Sequence, residues 1–118
     1  MKTKSIKTLR SKADRLLQLK YVPLNPVCLV CGQPTSAMHH VIYKSQSANL
    51  RYNPSNLVPL CSRCHCKHHL SGDPVIIATI INKKGQEWFD LLQKKRHVIC
   101  KFNQGYLKEI ISELADIS

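Results

Sequence analysis

Between Leu60 and Leu70 the chain reads LCSRCHCKHHL, three cysteines and three histidines in eleven residues. Thiols and imidazoles at that density constrain the fold more than any other segment, because they gather around metal. Cys61 and Cys64 form a Cys-x-x-Cys pair, and a second pair, Cys28 and Cys31, lies upstream with 29 residues between Cys31 and Cys61. Each pair turns two sulfurs to one side of a tight turn, and two such turns complete a tetrahedral four-cysteine Zn²⁺ site. Gly32, directly after the first pair, suits a turn that needs positive φ. Zinc held this way pins the start of the intervening segment to its end and supplies folding free energy that a small core lacks. Buried free thiols would not explain two paired spacings, and no thioredoxin-like βαβ pattern surrounds either pair. Cys66 and Cys100 have no partner at that spacing and are expected to be buried.

Reduced thiols fit the cytoplasm. The stretch MKTKSIKTLRSKADRLL is basic but has no apolar core or small-residue cleavage site. No run approaches the roughly 18 apolar residues of a membrane span. A cytoplasmic protein with no membrane partner is therefore expected. At 118 residues the chain has room for one domain, residues 1–118, with a modest core.

Charge points to a partner. Eighteen Lys and Arg stand against seven Asp and Glu, a formal balance of +11, and no carboxylate occurs between Asp14 and Asp73. That span holds every histidine except His97. A basic chain of this size fits a polyanion, most simply nucleic acid. Lys44, Arg51, Arg63 and Lys67 are the expected phosphate contacts within the span, with six further bases from Lys4 to Lys20.

The local pattern predicts an α+β chain. An amphipathic helix over 4–20 places Ile6, Leu9, Ala13, Leu16 and Leu17 on one face, within a basic N-terminal segment 1–22. Pro23 and Pro26 break it. A zinc-pinned core over 27–72 follows: a strand over Met38–Tyr43, a polar loop, a short strand over Leu57–Leu60 and a helix from Ser62 to Leu70 stopped by Gly72. The extension, 73–118, is helical. Asp73 and Pro74 start one helix that ends at Gly85, Gln86–Arg96 forms another, and a last one begins near Tyr106.

His65 and His69, four apart on a helix, share one face and can chelate one cation. His68 should point elsewhere, toward solvent or phosphate. His39 and His40 are adjacent on a strand, so their side chains leave on opposite faces. One of them can join His65 and His69 at a metal, and the other is free to act as a base.

The order Cys-x-x-Cys, His-His, Asn-Leu, Cys-x-x-Cys-His, then His, over Val27 to Leu70, resembles the HNH endonuclease family with its ββα-metal core. The resemblance implies that His40 is the general base and that His39, His65 and His69 hold a catalytic divalent metal. It also implies that Asn56 is the central Asn that braces the loop and orients His40. LRYNPSNLVPLC and the tail LSGDPVIIATIINKKGQEWFDLL resemble phage recombination endonucleases of the NinG (Rap) type, which act on branched DNA. For that substrate a homodimer with two sites on opposed strands is expected. Many of those relatives carry Gly-His and Asn where this chain has His39-His40 and His65, and its His-rich set is closer to colicin-type HNH sites. Three imidazoles and no carboxylate favour Zn²⁺, Ni²⁺ or Co²⁺ over Mg²⁺, although Mg²⁺ or Mn²⁺ can bind when phosphate supplies oxygen. The competing expectation is a non-catalytic zinc module that binds nucleic acid, its histidines forming a second structural site.

Overall fold

The computed structural model describes residues 5–115, with the side chains of residues 70 and 71 outside the description. Lys4, counted above among the basic residues, lies outside the described residues. Helix α1 spans Ile6–Tyr21, strands β1 and β2 span Ala37–His40 and Leu57–Leu60, and helix α2 spans Ser62–Ser71. Helices α3 (Pro74–Lys84), α4 (Gln86–Lys95) and α5 (Gln104–Ala115) follow. Among the described residues no helix is long and apolar enough to cross a membrane.

The hairpin and the helix after it are the mixed ββα arrangement that the sequence predicts. β1 and β2 pair antiparallel, with Ala37 opposite Leu60, Met38 opposite Pro59, His39 opposite Val58 and His40 opposite Leu57. The expected strand to Tyr43 stops at His40 for a local reason. Val41 N–H donates to the Asn56 carbonyl at 2.9 Å, and Ile42 N–H donates to Asn56 Oδ1 at 2.8 Å. The side chain of Asn56 thus takes the place of a strand partner and turns the chain into the loop.

Alternation along the strands divides the interior in two. Val58 and Leu60 face a core with Cys28, Cys61, Cys64, Ile76, Ile80 and Leu92. Met38 and Leu57 face another, built from Leu9, Ala13 and Leu17 of α1 and Leu107 and Leu114 of α5. The helical periodicity of α1 is met at Leu9, Ala13 and Leu17, whereas Ile6 is 40% exposed.

Caps set the helix ends. Ser5 Oγ accepts from Thr8 N–H at the start of α1, and Asp73 Oδ1 accepts from Val75 N–H at the start of α3. Gly72, at φ 60°, ends α2 in the left-handed conformation that glycine adopts without steric cost. α5 starts two residues earlier than the periodicity suggests, because Asn103 Oδ1 accepts from Tyr106 N–H and caps it. α4 braces the loop after β1: Trp88 Nε1 donates to the Ser55 carbonyl, and Asn49 Nδ2 donates to that of Lys95.

Candidate metal centres and cleft

The first centre is built by two turns. Gly32, at φ 77°, closes the first knuckle, where Cys28 N–H donates to the Gln33 carbonyl and Gly32 N–H to that of Cys28. Leu29 N–H and Ser36 N–H then tie this knuckle to the carbonyls of Pro59 and Leu60 at the end of β2. Cys61 is the N-cap of α2, its sulfur accepting from Cys64 N–H at 3.4 Å. The four sulfurs of Cys28, Cys31, Cys61 and Cys64 lie within 4.8 Å of one another, with Cys31 and Cys61 at 3.5 Å.

That spacing fits a tetrahedral ion, since zinc–sulfur bonds of about 2.3 Å place sulfurs about 3.8 Å apart. The donors also fit as thiolates. The Cys61 thiol is pulled below its ordinary value, first by the Cys64 N–H. Burial raises Cys28, but backbone N–H groups, that of Cys31 foremost, outweigh it and lower its pKa. Burial pushes Cys64 up, and the neighbouring thiols add to that, which is the repulsion a divalent cation would relieve. Cys66, expected to be buried, is exposed, and Cys100 is half-buried.

The second group lies between β1 and α2. Ligand atoms of His39, His65 and His69 fall within 4.8 Å of one another. His39 is 2% exposed, and its Nε2 has no hydrogen-bond partner. A buried imidazole nitrogen without a partner, beside two others on one helix face, fits a coordinated cation. Burial first, and then the nearby imidazoles, hold His39 at about 3, so it is neutral and free to donate its lone pair at ordinary pH. Burial likewise lowers His65.

His40 leaves β1 on the other face. Its Nε2 donates to the Arg51 carbonyl at 2.8 Å. A carbonyl only accepts, so the proton sits on Nε2 and Nδ1 keeps its lone pair. Burial lowers the pKa of His40, the Arg51 carbonyl partly opposes this, and the Lys44 charge adds to the lowering. Both histidines of β1 open onto one cleft of about 490 Å³, with Tyr43, Lys44 and His69 on its walls and Arg10 and Arg51 on the side of α1.

Several expectations change here. Asn56, 0% exposed, ties the loop together, bonding Ile42 at both its N–H and its carbonyl and reaching the Leu50 carbonyl. His40 Nε2, however, donates to the Arg51 carbonyl. The Arg51 guanidinium, expected to meet phosphate, is bound by Asp14 through Nε and Nη2 at 3.0 and 2.5 Å. Arg63 and Lys67 face away from the histidines, because on a helix two residues of offset is a turn of about 200°. They line a separate groove of about 660 Å³ beside the zinc knuckle, together with Asp73. Lys44 remains in the histidine cleft.

His68 is not turned outward. Its ring packs 4.8 Å from that of His39, and its Nε2 meets the Tyr43 hydroxyl at 3.2 Å. Tyr43 also stacks on His69 at 5.4 Å. Tyr43 and Asp14 were not legible as site residues, and Arg10 was legible only as one of six bases on the N-terminal helix. Tyr43 reads in sequence only as a strand aromatic, and nothing local links α1 to residues 40–51.

Residues 28–70 match the family model for HNH endonuclease. A stretch of 46 residues is 46% identical to the mitochondrial DNA mismatch repair protein mutS homolog of Sarcophyton glaucum, covering 36% of this chain. The match spans 5% of the length of that relative. No solved structure matches.

Proposed function

We propose that this protein is a metal-dependent DNA endonuclease that hydrolyses phosphodiester bonds in the histidine cleft. The observation that carries this reading is the division of labour on β1. His39 offers an unpartnered buried nitrogen to the group formed with His65 and His69, while neighbouring His40 keeps its Nδ1 lone pair. The match to the HNH endonuclease model supports the reaction class, and the name of the mutS relative supports DNA as the substrate.

His40 Nδ1 takes a proton from the attacking water. Burial keeps His40 neutral at pH 7, and the Arg51 carbonyl accepts a hydrogen bond from Nε2–H and stabilises the imidazolium that forms. His39, His65 and His69 hold the divalent ion, which when bound supplies Lewis-acid stabilisation of the charge developing on the phosphate and its leaving oxygen. Lys44 and Arg10 flank the cleft and neutralise adjoining phosphates. Cys28, Cys31, Cys61 and Cys64 hold a structural zinc that fixes α2, and with it His65 and His69, against the hairpin.

A narrower proposal follows from the resemblance of the tail to phage recombination endonucleases: branched DNA is the preferred substrate, cut in the host cytoplasm by a homodimer. The test compares wild type with His40→Ala at equal zinc content, on linear duplex and four-way-junction DNA with Mg²⁺, Mn²⁺ or Ni²⁺. Cleavage by the wild type, reduced about 10²–10⁴-fold in the variant with DNA binding kept, is expected. Faster cutting of the junction supports the narrower proposal, and equal rates or a monomer in sedimentation remove it. Unchanged DNA binding without cleavage under any metal would leave a zinc-containing nucleic-acid-binding module.

A further inference from the structure

We infer that helix α1, outside residues 28–70, is part of the catalytic site, and that Asp14 is a positioning residue acting on His40 through Arg51. The inference rests on His40 as the base. Arg51 is held at both ends: its backbone carbonyl accepts from His40 Nε2 at 2.8 Å, and its guanidinium forks onto both carboxylate oxygens of Asp14. This is the one ion pair found among the described residues, and its side chains are 14% and 24% exposed. The next residue, Tyr52, donates its hydroxyl to the Arg10 carbonyl of α1 at 3.4 Å, and Tyr52 packs in the core shared by α1 and α5.

The reason for such an anchor is local. Arg51 sits in a turn, outside any strand ladder, and its own N–H makes only a 3.3 Å bond to the Ala48 carbonyl. Nothing repetitive in the backbone aims the Arg51 carbonyl at His40. Asp14 and the Tyr52 contact supply that aim from α1. At this exposure the pair is largely buried, so its loss costs some stability, and what it adds to the site is direction. A bidentate Arg–carboxylate fork fixes the orientation of both partners, and reaction rates fall steeply when a catalytic group is misplaced by an ångström.

Asp14→Asn tests this, because the amide cannot accept two bonds from the guanidinium. The expected result is a fall in kcat of about 10-fold or more with KM unchanged or lower. Zinc content should stay at wild type while the thermal midpoint falls, and Asp14→Glu should recover much of the rate. A released Arg51 would also tighten DNA binding, opposite to the effect of losing a phosphate contact. A readout independent of turnover is the His40 Nε2-bound proton, seen by NMR as slowly exchanging in wild type and lost in Asp14→Asn. If Asp14→Asn fails to fold, Arg51→Lys keeps the backbone carbonyl and the charge without the fork, and reads the same two quantities. Wild-type kcat together with a protected His40 proton in these variants overturns the inference. If the wild type cleaves no DNA, the nuclease reading falls on that result alone, while the NMR measurement still decides whether Asp14 positions His40.

Discussion

The two faces of β1 are stabilised in different ways. On the His39 face, the core gathers Cys28, Cys61 and Cys64 with Val58, Leu60 and apolar residues of α3 and α4, while Cys31 completes the sulfur group from the exposed side. On the His40 face, the core joins α1 to α5, segments from opposite ends of the described chain, through leucine and aromatic packing. The His39 half adds two short-range cysteine turns and their sulfur group to its apolar packing, whereas the His40 half depends on long-range apolar burial. Damage to one half should therefore leave a recognisable remnant of the other.

The largest effect should come from Cys61→Ser or zinc chelation. Structural zinc contributes about 10–16 kcal/mol of apparent binding free energy in small domains, far more than this core can replace. Loss of one zinc per chain, with loss of the folded signals of α2 and the knuckle, is expected by metal analysis and NMR. Persisting α1·α5 signals would sharpen the contrast, and their collapse would show that the two halves unfold as one.

Asn56→Ala should rank second because it acts on both halves. It leaves Ile42 N–H and the carbonyls of Ile42 and Leu50 without their side-chain partner, at about 1–3 kcal/mol for each buried group that finds no substitute. Urea unfolding would measure it, with weakened divalent-metal binding and slower cleavage expected together. Leu17→Ala, 0% exposed in the α1·α5 core, should cost about 2–5 kcal/mol and leave zinc content unchanged. Zinc loss in that variant would break the division.

The smallest effect is acid sensitivity specific to the His39 face. His39 titrates near 6.5 in the unfolded chain and is held at about 3 in the fold, so between these values the unfolded state binds the extra proton. Its contribution is fully present above about pH 6.5 and is lost as pH falls toward 3. With one zinc per chain, urea midpoints at about pH 7.5 and about pH 5.5 should converge between wild type and His39→Gln as pH falls. A constant difference would mean that His39 titrates normally.

Much of the metal-binding half was legible because its information is local. Paired cysteines, Gly32, Gly72 and the Asp73-Pro74 cap each specify a turn or a helix end within a few residues. The hairpin was legible too, but its length was not, since the side chain of Asn56 ends β1 from sixteen residues away. The His40 half was legible only as periodicity. Leu9, Ala13 and Leu17 announce a buried helix face without naming α5 as its cover or residues 40–51 as its neighbour. Asp14 therefore reads as one acid on a basic helix, and its meeting with Arg51 comes only from the way the helices dock. His68 was misplaced because its spacing of three from His65, which puts both on one helix face, was given no weight, and Tyr43 meets it there.

The pairing of His40 with Leu57 and of His39 with Val58 has a further consequence. A soft or borderline cation would readily capture any imidazole within reach, and a captured imidazole has no lone pair left for a proton. Successive strand residues project to opposite sides of the sheet, so His40, although it opens onto the same cleft, stays outside the group formed by His39, His65 and His69. If His40 is the base as proposed, the pleat insulates it from the ion, and a slip of one residue in strand register would exchange the places of His39 and His40.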